Sequence, residues 1–273
     1  MHYIYKFEAM STPCELHLYH NSKPKVDAIA KLVLEEAKRL EKKYSYYRDD
    51  SFLSLLNSRE VSILDSESKN LLQRAKQYYK KTEKVFDITV ATFKPLYTQK
   101  LSKKILQTQK DKLFPFVGCE HFTIKRDKIN FDNSYTKIDL GGFVKEYAVD
   151  RAVSIIKKYK IRSALINFGG DIYAIGKKPN GEKFRVGIVD PEDREKKKLF
   201  VDICDEALTT SASYERFYQI EDETHSHIFS KNSMKDAPQS VTVISSSCVE
   251  SGVYSTSLMV NPNLKTSHKT IIL

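Results

Sequence analysis

Glycine is scarce in this chain: nine residues among 273, roughly half the average share. No apolar run approaches the roughly 20 residues needed to span a bilayer. The first residues, MHYIYKFEAMSTP, lack the basic segment, apolar stretch and small-residue cleavage site of a secretory leader. The expectation is a cytoplasmic protein as given, or a periplasmic one if a leader was removed. The four cysteines, Cys14, Cys119, Cys204 and Cys248, lie far apart with no CxxC or zinc-ligand spacing. That excludes a disulfide framework and a zinc module and leaves reduced, mostly buried thiols. No GxGxxG or Walker loop is present, and there is no internal repeat, low-complexity linker or nucleic-acid-binding motif. The net charge of +10 comes from lysines scattered among acidic residues. This reads as a solvated surface that helps attract an anionic cofactor, with no nucleic-acid partner.

The glycines that are there concentrate. Gly141-Gly142 sits in IDLGGFVKEYAVDRA (138–152) and Gly169-Gly170 in ALINFGGDIYAIG (164–176). Each pair closes an apolar run and touches an aspartate. Adjacent glycines mark close backbone approach or positive φ, so residues 138–176 are where a ligand is expected. The first pair reads as a junction between a strand ending near Leu140 and a helix beginning near Lys145, with backbone N–H groups free to meet a phosphate.

Periodicity supplies the elements. Residues 3–8 and 14–20 alternate as strands around a turn near Ser11-Thr12-Pro13. Residues 26–45 form an amphipathic helix. Residues 50–57 form a short helix capped by Asp50 or Ser51, and 66–83 a third helix with Ser66 at its N-cap. Residues 98–115 read as helix and loop, 122–131 as a hairpin turning at Arg126-Asp127, and 145–160 as a strong helix. Strands are expected at 163–168, 184–190 and 240–245, a charged loop from Asp190 to Leu199, and a packed helix at 250–261. Helices and strands alternate without a strict βαβ rhythm, which argues an α+β fold: one domain over residues 1–273, with mixed sheets flanked by helices.

Eight segments occur in a fixed order: AMSTPCEL (9–16), YSYYRDDSFLSLLN (44–57), VFDITVATFKPLY (85–97), IDLGGFVKEYAVDRA, INFGGDIYAIG, ALTTSASYERFY (207–218), HSHIF (225–229) and SVTVISSSCVESGVYSTSLMV (240–260). The series resembles the ApbE family of FAD:protein FMN transferases over about residues 10–260. The resemblance implies an enzyme that binds FAD and, with Mg²⁺, cuts its pyrophosphate. FMN passes to a threonine of an acceptor protein and AMP leaves; some members hydrolyse FAD instead. Such a site needs a flavin pocket, a metal facing the pyrophosphate and a base for the incoming hydroxyl.

Carried over by position, the resemblance makes Met10 and Tyr47 pocket-lining residues, with core packing as the alternative. Phe86 and Asp87 become cofactor contacts; the alternative for Asp87 is a helix N-cap. Asp139 touches the cofactor near the metal, or else satisfies a local turn. Gly142 offers its backbone carbonyl to Mg²⁺, and Thr256 its side chain. Lys145 meets the cofactor or is solvated. Asp171 lies under the site or is an exposed turn residue. His227, flanked by Ser226 and the cofactor-contacting Ile228, is the proton acceptor.

Three positions depart from the family pattern. Gly252 stands where a Mg²⁺-ligating aspartate is expected. Glu250, two residues earlier, would point about 200° away on a helix. Ser230-Lys231 replaces Asp-Pro after the histidine segment, and Glu146 replaces a glycine. The competing readings are therefore an active transferase, an FAD pyrophosphatase, or a flavin-binding member that has lost catalysis, which Gly252→Asp should switch back on. No acceptor motif is evident in the chain itself.

Overall fold

The N-terminal alternation makes a hairpin of β1 (His2–Ala9) and β2 (Thr12–Tyr19), paired antiparallel. Its turn is Met10-Ser11, both at positive φ (55° and 57°); Thr12 and Pro13, expected in the turn, already belong to β2. The computed structural model describes residues 1–99, 101–213, 217–220, 223–226 and 238–273.

Next come α1 (Lys23–Tyr44), α2 (Phe52–Ser58) and α3 (Ser66–Lys81). The α2 cap is Ser51, whose hydroxyl accepts from the Ser54 amide at 3.0 Å. For α3 the cap is Asp65, accepting from Ser68 N at 2.8 Å, and not Ser66. A 3₁₀ turn over Ile88–Phe93 leads into α4 (Lys94–Tyr97) and then α5 (Lys103–Leu113). The hairpin of β3 (Phe122–Lys125) and β4 (Lys128–Phe131) turns at Arg126-Asp127 as expected.

Helix α6 runs Gly141–Lys158 and so begins four residues before the expected Lys145. No strand precedes it: the apolar run to Leu140 is irregular and buried. Strands β5 (Ala164–Phe168) and β6 (Asp171–Ile175) form a tight hairpin, and β7 (Phe184–Val189) and β8 (Lys197–Ile203) a second one. Then come β9 (Glu206–Ala212), the paired β10 (Phe217–Ile220) and β11 (Glu223–Ser226), β12 (Ser240–Ser245), α7 (Cys248–Val260) and β13 (Lys269–Ile272).

One seven-stranded sheet organises these parts, in the order β1-β2-β5-β6-β9-β12-β13, with every neighbouring pair antiparallel. Helices α1, α6 and α7 pack against it. Tyr173 and Ile175 of β6 join the main core with α1 and α6 residues, while Ile172 and Ala174 join a second cluster with β7 and β8. Both faces of the sheet centre are thus covered, which is the α+β arrangement of helices flanking sheets. No described helix is long and apolar enough to cross a membrane. All four cysteines are free, and only Cys204 is not fully buried.

Candidate functional site

The first turn of α6 organises the site. Asp139 Oδ1 accepts from the Gly141 amide at 3.0 Å, and the Val144 amide donates to Leu140 O at 2.7 Å. Gly142 departs from helical geometry (φ −89°, ψ 24°), and a Cβ there would meet nothing within 4 Å. Its backbone therefore faces open space beside a helix N-terminus, where N–H groups and the helix dipole favour an anion.

Asp139 also holds the neighbouring chain in place. Its amide donates to Ile88 O at 2.9 Å, and its carboxylate pairs with Lys94, both side chains being about 15% exposed. The Lys94 ammonium lies 4.6 Å from the Tyr46 ring centre and 5.1 Å from that of Tyr47. Burial alone would lower the Lys94 pKa; Asp139 outweighs it and the net direction is up. Tyr47 is 73% exposed, so its ring is free to take a planar ligand on the remaining face.

Two hairpin turns meet at the adjoining end of the sheet. Gly169 and Gly170 both take positive φ (59° and 92°). A Cβ on Gly169 would lie 1.9 Å from Thr12 Oγ1, so glycine is required both by conformation and by contact. The Gly169 amide donates to Pro13 O at 3.0 Å, joining the β5–β6 turn to the Met10-Ser11 turn. The Met10 amide in turn donates to Glu41 Oε1 at 2.7 Å on α1, whose C-terminal end leads to Tyr46 and Tyr47. Met10 itself is half-buried against the core.

Below these turns lies a buried charged layer. Asp171 is 1% exposed, not a surface turn residue, and pairs with Lys145 at 2.5 Å. Burial raises its pKa against the pull of Lys145. Glu146 is also buried, and its Oε2 has no hydrogen-bond partner. Burial, then the Asp171 charge, push its carboxyl up to about 8. Gly252 of α7 lies against it: a Cβ there would sit 2.5 Å from Glu146 Cγ and 2.9 Å from Oε1. Thr256, one turn further along α7, has its hydroxyl 3.2 Å from Ser211 Oγ on β9. Glu250 is turned elsewhere, 3.5 Å from His268 Nε2, as the helical offset required.

The structure therefore brings Met10, Tyr47, Asp139, Gly142 and Lys145 to one end of the sheet, with Thr256 on the helix behind. Phe86 and Asp87 are both buried. Phe86 is buried, its ring 5.9 Å from that of Phe143. Asp87 is the N-cap of the 3₁₀ turn, accepting from Thr89 N at 2.8 Å and Thr89 Oγ1 at 2.6 Å. His227 and Ile228 lie outside the described residues. Among the described residues no three His, Cys, Asp or Glu side chains form a metal cage. Lys94 was not singled out in sequence; its position within the FDITVATFK segment was the available signal.

A model of the ApbE family matches residues 10–268. A FAD:protein FMN transferase of Vibrio cholerae is 25% identical over 227 residues, covering 79% of this chain and 68% of the relative. That of Escherichia coli K12 is 27% identical over 192 residues, 66% of this chain and 55% of the relative. That of Chlamydia pneumoniae is 26% identical, covering 79% and 71%. Among solved structures, an ApbE protein of Thermotoga maritima superposes with a TM-score of 0.87 at 23% identity, covering 100% of this chain and 94% of that one. The flavin transferase ApbE of Vibrio cholerae gives 0.81 at 20% identity, covering 100% and 97%.

Proposed function

The chain belongs to the ApbE family, and from that premise we propose that it is an FAD:protein FMN transferase. The observation that carries the reading is the set of groups gathered at the N-terminal end of α6. An open backbone at Gly142, the helix N-terminus, Lys94 and the exposed Tyr47 ring combine phosphate-binding and ring-binding surfaces in one place.

FAD is the substrate. Its pyrophosphate suits the N-terminus of α6, and an aromatic ring of FAD suits Tyr47. The acceptor's threonine hydroxyl attacks the phosphorus of the FMN half. The bond to the AMP oxygen breaks, AMP leaves with the electron pair, and the hydroxyl proton goes to His227. Asp139 and Lys94 hold the first turn of α6 in register with the 3₁₀ turn that precedes α4. The paired Lys145 and Asp171 fix the helix from below.

The residues present fit Mg²⁺. The Gly142 carbonyl and the Thr256 hydroxyl are hard oxygen donors, and the unpartnered Glu146 Oε2 is a carboxylate oxygen in the same helix pair. Magnesium is commonly held by one or two carboxylates together with substrate phosphates, so a complete protein cage is not required. Bound there, it would neutralise charge on the pyrophosphate.

Full-length protein, FAD, Mg²⁺ and an acceptor domain with an Asp-Gly-x-Thr-type motif should yield covalently fluorescent acceptor and one AMP per flavin transferred. FMN and AMP without labelled acceptor would mark a pyrophosphatase. Bound FAD with no AMP under any metal or pH condition would refute the catalytic reading.

A further inference from the structure

We propose that this chain has moved its cation-binding carboxylate from one helix to another, with Glu146 of α6 taking the place that the resemblance assigns to an aspartate at position 252 of α7. The proposal rests on the Mg²⁺-dependent reading above and deepens it.

Two departures from the family pattern are one exchange in space. Position 146, expected small, is large; position 252, expected to bear a carboxylate, is glycine. The Glu146 side chain fills the space a side chain at 252 would need, since a Cβ on Gly252 would lie 2.5 Å from Glu146 Cγ and 3.0 Å from Cδ. Glycine inside a helix costs about 1 kcal/mol relative to alanine, and here close packing explains it.

The helix register places this carboxylate one turn along α6 from Gly142 and against the turn of α7 that precedes Thr256. Asp150 accepts from the Cys248 amide at 2.8 Å and the Val249 amide at 3.2 Å. Glu146, one turn earlier on α6, abuts Gly252, one turn later on α7. The helices therefore run antiparallel at this contact; Gly142 lies one turn before Glu146 on α6, and Thr256 one turn after Gly252 on α7.

One oxygen of this carboxylate also lacks a hydrogen-bond partner. Oε2 is buried without a hydrogen bond, and Lys145 pairs with Asp171. A buried carboxylate oxygen without a hydrogen bond is costly, and a divalent cation is a partner that this hard oxygen suits. Glu250 is no substitute, being turned toward His268.

The exchange is tested on the full chain with FAD present and Mn²⁺ as the spectroscopic probe, followed by electron paramagnetic resonance and displaced by Mg²⁺. FAD binding is measured separately by fluorescence without cation, and folding by Tm. Glu146→Gln should weaken Mn²⁺ binding roughly tenfold or more, leave FAD binding unchanged and not lower Tm measured without cation. Gly252→Asp alone should not tighten Mn²⁺ and should lower Tm by about 4 °C or more, because two side chains compete for one space. The double variant Glu146→Gly with Gly252→Asp should recover both Tm and Mn²⁺ affinity. Unchanged Mn²⁺ binding in Glu146→Gln overturns the proposal. So does a wild-type protein that binds FAD but no Mn²⁺, or a folded double variant that binds none. Failure of the wild type to bind FAD at all is a different result and counts against the flavin-transferase reading itself.

Discussion

Lys94 shows how one side chain can join two parts of a site. It neutralises Asp139, which accepts from the Gly141 amide at the start of α6, and it lies under Tyr46 and Tyr47. Removing the ammonium while keeping the stem strands a carboxylate that is only 15% exposed. Lys94→Met should therefore lower stability by about 3 kcal/mol and weaken FAD binding. Adding Asp139→Asn should restore most of the stability but not the FAD affinity, as read by urea unfolding and flavin fluorescence. If the double variant binds FAD normally, Lys94 serves only the fold. At this scale the clustering of Asp139, Gly142 and Lys145 about the start of α6 was legible in sequence, because one motif carries all three. The site was not legible where two distant residues share one space. Glu146 and Gly252 read as unrelated losses until their side-chain volumes are seen to be complementary. The same contact argues against the expectation that Gly252→Asp alone would restore a ligand, because Glu146 occupies the space that a Cβ at position 252 would need.

Among elements, the sequence is most readable where one face is wet. Helix α1 and the first hairpin show their periods because solvent covers one side. Strand β6 is buried at every position and shows no alternation. Strand β9 is polar yet interior, with Thr209 2% exposed and the Thr210 hydroxyl 2.8 Å from that of Thr242 on β12; hydroxyl pairing across strands leaves no apolar signature. Helix α7 has little hydrophobic contrast around its axis and draws part of its start from another element, since Asp150 of α6 receives two of its first amides. Burial is the main influence on that carboxyl; opposed by those two amides, it leaves the pKa raised to about 6. A carboxyl raised on folding favours the folded state fully only below its unfolded pKa, near 3.8, and loses that contribution as pH rises through about 6. Asp150→Asn keeps an acceptor and removes the titration. Relative to wild type, the variant should gain about 2 kcal/mol between pH 4 and pH 7.5, measured by guanidinium unfolding at both values. A difference that does not change with pH would show that Asp150 titrates at its ordinary value.

Across the whole molecule, the helical layer is tied together by charge as well as by core packing. Glu67 at the start of α3 accepts from Arg39 at 2.6 Å and from Lys43 at 2.9 Å, both on α1. Glu36 of α1 then reaches Arg39 at 2.8 Å and Arg151 of α6 at the same distance. Helices α1, α3 and α6 are thereby linked. Desolvation would raise the Glu67 pKa, but the hydrogen bonds from Arg39 and Lys43 overcome it and hold the carboxyl at about 2, below its ordinary 4.5. A carboxyl depressed on folding contributes stability above its unfolded pKa and loses it as pH falls through the folded one. The contribution should be intact at pH 7, decline from about pH 4.5, and be gone near pH 2. Discounted for the solvent that reaches the cluster, it amounts to about 2 kcal/mol. Glu67→Gln should therefore destabilise the protein by about that much at pH 7, with the penalty shrinking toward zero on acidification. Salt should weaken the effect only modestly, because the Glu67 side chain is 19% exposed. Thermal unfolding of both proteins from pH 2 to pH 7 reads this directly. Parallel curves would show that the network orients the three helices without contributing to the acid limb of stability.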